Sequence, residues 1–386
     1  MTTEDVTSAL ALATLHSQGA PFAAPIGRAR AFRRTVAIGD PQTSLERFFT
    51  VLAHHKLLDP RGRLRDDTRL IVMGDYFDWG APAQRRTAAA DGLRLLAWIA
   101  MHPPEQVIAL TGNHDLARVG ELAHFSDALF AQAQREADRA YLDKDPERKE
   151  ALFCEDYNTP SWELIARDFS VFRETQRTWI TSLLRAGRLH LAWSEGGVLF
   201  THAGVSRREL TVLGLDPQGP QDPDRIADGL NAALLKAVRR WTEGPLYIPD
   251  LHHPGDHHDE GVGMLYHRFT VEPVARPKPE SMHRRTSVYE LPRGLLQAIG
   301  HVRDKKSRAL LGQDVSRAHD GPLRLLRVSD SALRYGPLEA PSDTVLSDDT
   351  ASVWHLDGGM SHADLTEYSL LDVHQRASLT TLDRAD

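Results

Sequence analysis

Short apolar runs rich in β-branched residues alternate with stretches of helical spacing over the first 115 residues. Arg34-Thr-Val-Ala-Ile38 is the first run and stops at Gly39-Asp40. Leu45, Phe48, Phe49 and Leu52 recur at helical spacing and predict a helix from Leu45 to Leu58. Leu70-Ile71-Val72-Met73 marks a second strand, 69–73. Gln84 to Met101 predicts a long helix with Leu93, Leu96, Ala97 and Ala100 on one face, closed by Pro103-Pro104. Val107-Ile108-Ala109-Leu110 lies in a third strand, 106–110. The order β-α-β-α-β predicts parallel strands with right-handed crossovers.

Beyond residue 115 the pattern changes twice. Residues 116–188 are mostly helical and charged, and they predict a helical insertion that caps the substrate entrance. Asp143 to Glu150 is its most polar stretch and predicts an exposed loop, whereas Trp162, Phe169, Phe172 and Trp179 are expected to form the insertion's own core. Residues 189–193 and 197–201 predict short strands around the turn Ser194-Glu195-Gly196, a hairpin. A helix follows over 224–241, then a loop-rich stretch with six histidines over 244–294. Leu296 to Ile299 predicts a strand ending at Gly300-His301, and short strands are expected at 323–328, 332–335 and 352–356. Gly19, Pro21, Pro25 and Gly27 interrupt any periodicity in a loosely docked lead-in, 1–32. The main domain is expected over 33–360, with a C-terminal tail over 361–386.

Composition narrows this picture. Of 386 residues 41% are hydrophobic and 26% charged, a globular balance that can bury a sizeable core. The net charge of −7 argues against a nucleic-acid-binding surface. Cys154 is the single cysteine, so neither an intramolecular disulfide nor a cysteine metal cage can form. Glu4 and Asp5 at the start, with no positive residue before Arg28, do not predict a signal peptide. No apolar run reaches membrane-spanning length, and a cytoplasmic location is the expectation.

The candidate chemistry sits at strand ends. Asp40, Asp75 in Gly74-Asp-Tyr-Phe-Asp78, Asn113 in Gly112-Asn-His-Asp115, His202 in Thr201-His-Ala-Gly204, and His301 each follow an apolar run. Open α/β sheets place ligands at the carboxyl ends of their strands. Carboxylates, a carboxamide and imidazoles together are donors suited to Mn, Fe or Zn rather than to Ca alone. One such residue alone is usually a turn or a cap, but five in order point to a two-metal hydrolytic centre. The loop His252-His253-Pro-Gly-Asp-His257-His258-Asp259 has no spacing suited to a metal cage, and reads as surface or as a lid.

These five motifs resemble those of the calcineurin-like metallophosphoesterases, and within them the phosphoprotein-phosphatase-like branch, over residues 33–357. The resemblance implies a four-layered α/β/β/α sandwich carrying two divalent metal ions, Mn first, with Fe, Zn or Mg as alternatives. It implies that Asp40 and Asp75 hold one ion, and that Asp75, Asn113, His202 and His301 hold the other. A metal-bridging water then attacks phosphorus, His114 is the general acid, and Asp78 orients it. Met264-Leu-Tyr-His-Arg268 resembles the segment that brings an arginine to the phosphate, with Arg303 a second candidate or a solvated loop charge. Leu356-Asp-Gly-Gly-Met360 resembles the family's closing strand and turn. Two positions depart from the pattern. Gln42 stands where the family has histidine, and it either offers an amide oxygen to the first ion or does not touch it. Trp79 stands where the branch has an arginine. The expected activity is phosphomonoester hydrolysis, on a phosphoprotein or a small phosphorylated molecule. The alternatives are a phosphodiesterase or dinucleoside-polyphosphate hydrolase on the same centre, and a catalytically lapsed phosphate- or partner-binding module.

Overall fold

The computed structural model describes residues 3–19, 32–272, 282–338 and 349–379. Numbered along the chain, the helices among these residues are α1 (Thr3–Ser17), α2 (Leu45–His54), α3 (Arg85–Ala100), α4 (Asn113–Ala117) and α5 (Asp127–Tyr141). They continue with α6 (Glu150–Tyr157), α7 (Glu174–Arg185), α8 (Arg207–Val212), α9 (Pro223–Arg240) and α10 (Asp304–Leu310). The strands begin with β1 (Arg34–Ile38), β2 (Thr68–Val72), β3 (Val107–Leu110), β4 (Leu189–His190), β5 (Ala192–Glu195) and β6 (Val198–Thr201). Two small ribbons follow, β7 (His252–His253) with β8 (Val262–Gly263), and β9 (Arg268–Thr270) with β10 (Arg285–Ser287). The chain then forms β11 (Leu296–Ile299), β12 (Arg324–Val328), β13 (Leu333–Pro337), β14 (Ala351–His355), β15 (Leu370–Asp372) and β16 (Ala377–Leu379).

Two six-stranded sheets result, ordered β16-β15-β1-β2-β3-β4 and β13-β12-β14-β11-β6-β5. β1 to β4 are mutually parallel, as the β-α-β-α-β pattern predicts. In the second sheet β6, β11 and β14 are parallel to one another. The strands are buried on both faces, and side-chain alternation divides them cleanly. Val36, Leu70, Val72 and Val107 face a core shared with Phe48, Phe49, Leu96 and Trp98 of the helices. Ala37, Ile71, Ile108 and Leu110 face the other way, onto Phe200, Leu296, Ala298 and Trp354 of the second sheet. Ile299, Leu326 and Val353 turn outward to a further cluster with Phe269, Val288 and Leu311. This is the expected α/β sandwich of two sheets between helical layers.

Two segments are more integrated than their sequence suggests. The expected loose lead-in contains α1, whose Val6, Ala9 and Ala13 are buried against α2 and α3. Small residues make that contact, so no strong apolar stripe announces it. The expected C-terminal tail contains β15, which pairs antiparallel with β1 (Val36 opposite Asp372) and buries Leu370, Leu371 and Val373. The hairpin around Ser194-Glu195-Gly196 forms as β5–β6, with Gly196 and Gly197 at positive φ. Leu189-His190 instead continues the first sheet, so one short segment links the two sheets. The insertion has its own core of Phe125, Phe130, Phe153, Tyr157, Phe169 and Phe172, with Trp162 packed on it. Trp179 differs, because α7 turns it into the main core with Ile180, Leu183 and Leu184. No helix among the described residues is long and apolar enough to cross a membrane.

Candidate metal centre

The parallel strands β1, β2, β3, β6 and β11 end at one edge, and each delivers a candidate ligand there. Asp40 follows β1, Asp75 follows β2, and Asn113 opens α4 after β3. His202 follows β6 and His301 follows β11. Donor atoms of Asp75, His202 and His301 lie within 4.8 Å of one another, an arrangement that can hold a metal ion. His202 Nδ1 lies 2.8 Å from the Met73 carbonyl oxygen, which can only accept, so Nδ1 carries the proton. The Nε2 lone pair then points at Asp75 Oδ2 (3.5 Å) and Asn113 Oδ1 (3.1 Å). Lone pairs converging on one point repel unless a cation sits among them, and a histidine oriented through its other nitrogen is the usual metal ligand. His301 Nε2 and Asp40 Oδ1 are buried with no hydrogen-bond partner, again on this edge. Burial holds both imidazoles below their ordinary pKa and so in the neutral, ligating form; for His301 the charges of Arg268, His114 and Arg284 add to this.

Backbone geometry makes room for these groups. A Cβ on Gly112 would stand 1.9 Å from Asp75 Oδ1, and one on Gly300 would stand 1.9 Å from Asp40 Oδ1. The carboxylates thus rest on bare backbone. Asp75 (φ 59°), Asp78 (φ 63°) and His301 (φ 64°) all lie in the left-handed region, which costs roughly 1 kcal/mol or more per side-chain-bearing residue. Asp115 braces the loops by accepting from the backbone N–H of Asp75 (2.7 Å), Tyr76 (3.0 Å) and Gly112 (2.8 Å).

Beside the ligands lies a second unit. His114 Nδ1 is 2.9 Å from Asp78 Oδ2, and its Nε2 is 3.8 Å from Asp75 Oδ2. Burial alone would lower the His114 pKa, but the Asp75 charge and the hydrogen bond and charge of Asp78 raise it to about 9. The Asp78 carboxylate is buried, yet the Arg118 guanidinium and His114 hold it below the usual carboxylate range. Arg118, which the motifs do not single out, is fully buried. It donates to Asp78 at 2.6 Å, to the His114 carbonyl at 2.7 Å and to Gln176 at 3.2 Å, and it lies over the Phe77 ring. The insertion touches the same unit: Val171 N–H donates to Asp78 Oδ1 (3.1 Å) and Phe169 meets the His114 ring edge-on at 5.1 Å.

A cavity of about 630 Å³ opens above, lined among others by Asp75, Asn113, His114, Arg268, His301 and residues 161–169 of the insertion. Arg167, Arg284 and Arg303 on its wall are engaged by acidic partners, Glu163 with Asp168, Glu260, and Asp320 respectively. Arg268 has no side-chain hydrogen bond or ion pair among the described residues. Gln42 lines both this cavity and a neighbouring one of about 510 Å³ that also holds Asp40, Trp79, Arg303 and Asp357. The histidine-rich loop is anchored at its buried residues, while His253, His257, His258 and Asp259 lie exposed at the surface as expected. His252 is buried and stacks on Tyr266, while Glu121 ties Gly255 to the Tyr266 hydroxyl.

Residues 33–272 match the sequence profile of the family described as calcineurin-like phosphoesterase. No curated protein matches the chain. A solved structure of a cold-active protein tyrosine phosphatase aligns at 13% identity and a TM-score of 0.35, covering 93% of this chain and 83% of that one.

Proposed function

Because the chain belongs to the calcineurin-like phosphoesterases, whose members hydrolyse phosphoesters with metal ions, we propose that it is a phosphomonoester hydrolase with two divalent ions, Mn²⁺ foremost. The observation that carries this reading is the shared cavity: a metal-type donor cluster, an imidazole paired with a buried carboxylate, and an arginine without an ion pair among the described residues face one space. When bound, divalent ions supply a nucleophilic water at neutral pH and neutralise charge on the phosphoryl oxygens. Asp75, Asn113, His202 and His301 hold the ion beside His114, while Asp40 and Asp75 hold the other. Arg268 takes phosphoryl oxygens, replacing at least part of the clamp that Trp79 does not offer. His114 donates its Nε2 proton to the departing oxygen, and Asp78 keeps that imidazole charged and aimed. The substrate is a phosphorylated molecule reaching down a polar cavity, small or carried on a protein.

Asn113→Ala or His202→Ala is expected to abolish Mn²⁺-dependent hydrolysis of an aryl phosphate. Unchanged turnover in either variant would sink the reading. Trp79 in place of arginine favours one rival, a phosphodiesterase. Faster turnover of a bis-aryl phosphate than of the aryl phosphate by the wild-type chain decides for that rival.

A further inference from the structure

We propose that Asp357 is a ligand of the first ion, the carboxylate this chain uses in place of the imidazole absent at Gln42. The proposal rests on reading the strand-end cluster as a two-ion phosphoesterase centre. Its first support is position. β14 runs parallel to β11, and the N–H of Leu356 donates to the Ile299 carbonyl at 2.7 Å. Asp357 therefore leaves the sheet beside Gly300-His301, at the edge where the five other strand ends place their donors. It is a sixth strand end carrying a hard oxygen.

Contact with the first site is direct. A Cβ on Gly39 would lie 2.2 Å from the Leu356 oxygen and 3.0 Å from the Asp357 Cα. Asp40 and Asp357 thus rise from touching backbones, and both line the cavity that holds Gln42. Asp40 is only 4% exposed, and its Oδ2 accepts from His301 N–H at 2.8 Å while Oδ1 has no partner. A buried carboxylate oxygen without a donor costs several kcal/mol unless a cation supplies the missing charge. Among the described residues no side chain does so, and Arg303, the nearby guanidinium, is turned to Asp320. Asp357 itself spends Oδ1 on the Gly359 N–H at 3.1 Å, a turn contact. That contact leaves Oδ2 without a hydrogen-bond partner among the described residues. Turn formation engages one oxygen of half-buried Asp357 and leaves the other available to share a cation with Asp40 and Asp75. An all-oxygen set of three carboxylates, with or without the Gln42 amide, favours Mn²⁺ or Mg²⁺ over Zn²⁺.

The test is Mn²⁺ binding to the full chain after chelation, followed by calorimetry and by the electron paramagnetic resonance of free Mn²⁺. Wild type is expected to take two Mn²⁺ per chain. In Asp357→Asn, which keeps an oxygen for Gly359, one affinity should fall at least tenfold and the other stay unchanged. Adding Gln42→His to that variant should recover the lost affinity by returning an imidazole to the site. Asp357→Ser, which also retains an oxygen for the turn, gives the same comparison if the asparagine variant does not fold. Two Mn²⁺ affinities within twofold of wild type in a folded Asp357 variant would overturn the proposal. The readout is ion binding rather than turnover. A wild-type chain that binds two ions and hydrolyses nothing therefore counts against the proposed activity, not against Asp357.

Discussion

At the scale of single residues, the proposed acid is coupled to the groups that would keep it charged. His114 is bracketed by Asp75 and Asp78, which together raise its pKa to about 9 in the ion-free chain; with Asp75 committed to ions, the Asp78 carboxylate 2.9 Å from Nδ1 is the group left to favour its charged form. A proton donor matters most when the leaving oxygen is basic. His114→Ala is therefore expected to lower kcat on an alkyl phosphate by about 10²–10⁴-fold, with a much smaller loss on p-nitrophenyl phosphate, whose leaving group needs little protonation. Equal losses on both substrates would show that His114 acts otherwise. His114 and Asp78 were legible because each sits in a motif at a strand end. Arg118 was not, since a lone arginine four residues after a histidine carries no pattern; only the fold slides it under Phe77 and onto Asp78. Asp357 was hidden differently. It follows an apolar strand like the others, but leucine precedes it where Asp40, Asp75, Asn113 and His301 are preceded by glycine.

At the scale of elements, strands buried on both faces and long amphipathic helices were readable, because their apolar runs answer to local periodicity. β1, β2, β3 and β11 therefore fall within a residue of their expected positions. The two misjudged segments, α1 and β15, are defined by non-local contacts. α1 contributes mainly alanines to a groove that α2 and α3 create. β15 is a three-residue strand whose partner β1 lies more than 300 positions earlier. β15 is nevertheless part of the core, because Leu371 faces the layer between the sheets with Ala37, Phe200 and Trp354. Leu371→Ala is expected to destabilise the chain by ~2–5 kcal/mol, the range for truncating a buried leucine. The check is the urea midpoint at constant m-value. A shift under ~0.5 kcal/mol would mean that β15 adds little to the core.

At the scale of the whole molecule, buried neutral histidines make the fold sensitive to acid, and His102, His55 and His252 show how. His102 accepts from the Leu64 N–H through Nε2 (3.0 Å) and donates through Nδ1 to the Trp98 carbonyl (2.7 Å). A second proton on that ring would face an N–H and not an acceptor. His55 joins the end of α2 to the Tyr368 carbonyl at 3.1 Å, and His252 is stacked and buried under Tyr266. Burial lowers the pKa of His55 and His102 to about 4 and of His252 to about 3, from an ordinary value of 6.5. The native state thus refuses protons that the unfolded chain accepts between these values. Their contribution to stability is full above pH 6.5 and falls as pH drops toward 4, with a slope approaching roughly 4 kcal/mol per pH unit for these three protons, and buried His355, lowered to about 4, adds to it. Urea unfolding at pH 7.5, 6.5, 5.5 and 5.0 should show this decline. His102→Gln, which keeps an acceptor for Leu64 but cannot titrate, should lower the slope by about one proton's share, roughly 1.4 kcal/mol per pH unit. A stability that stays flat from pH 7.5 to 5.0, or an undiminished slope in His102→Gln, would show that other groups govern acid unfolding.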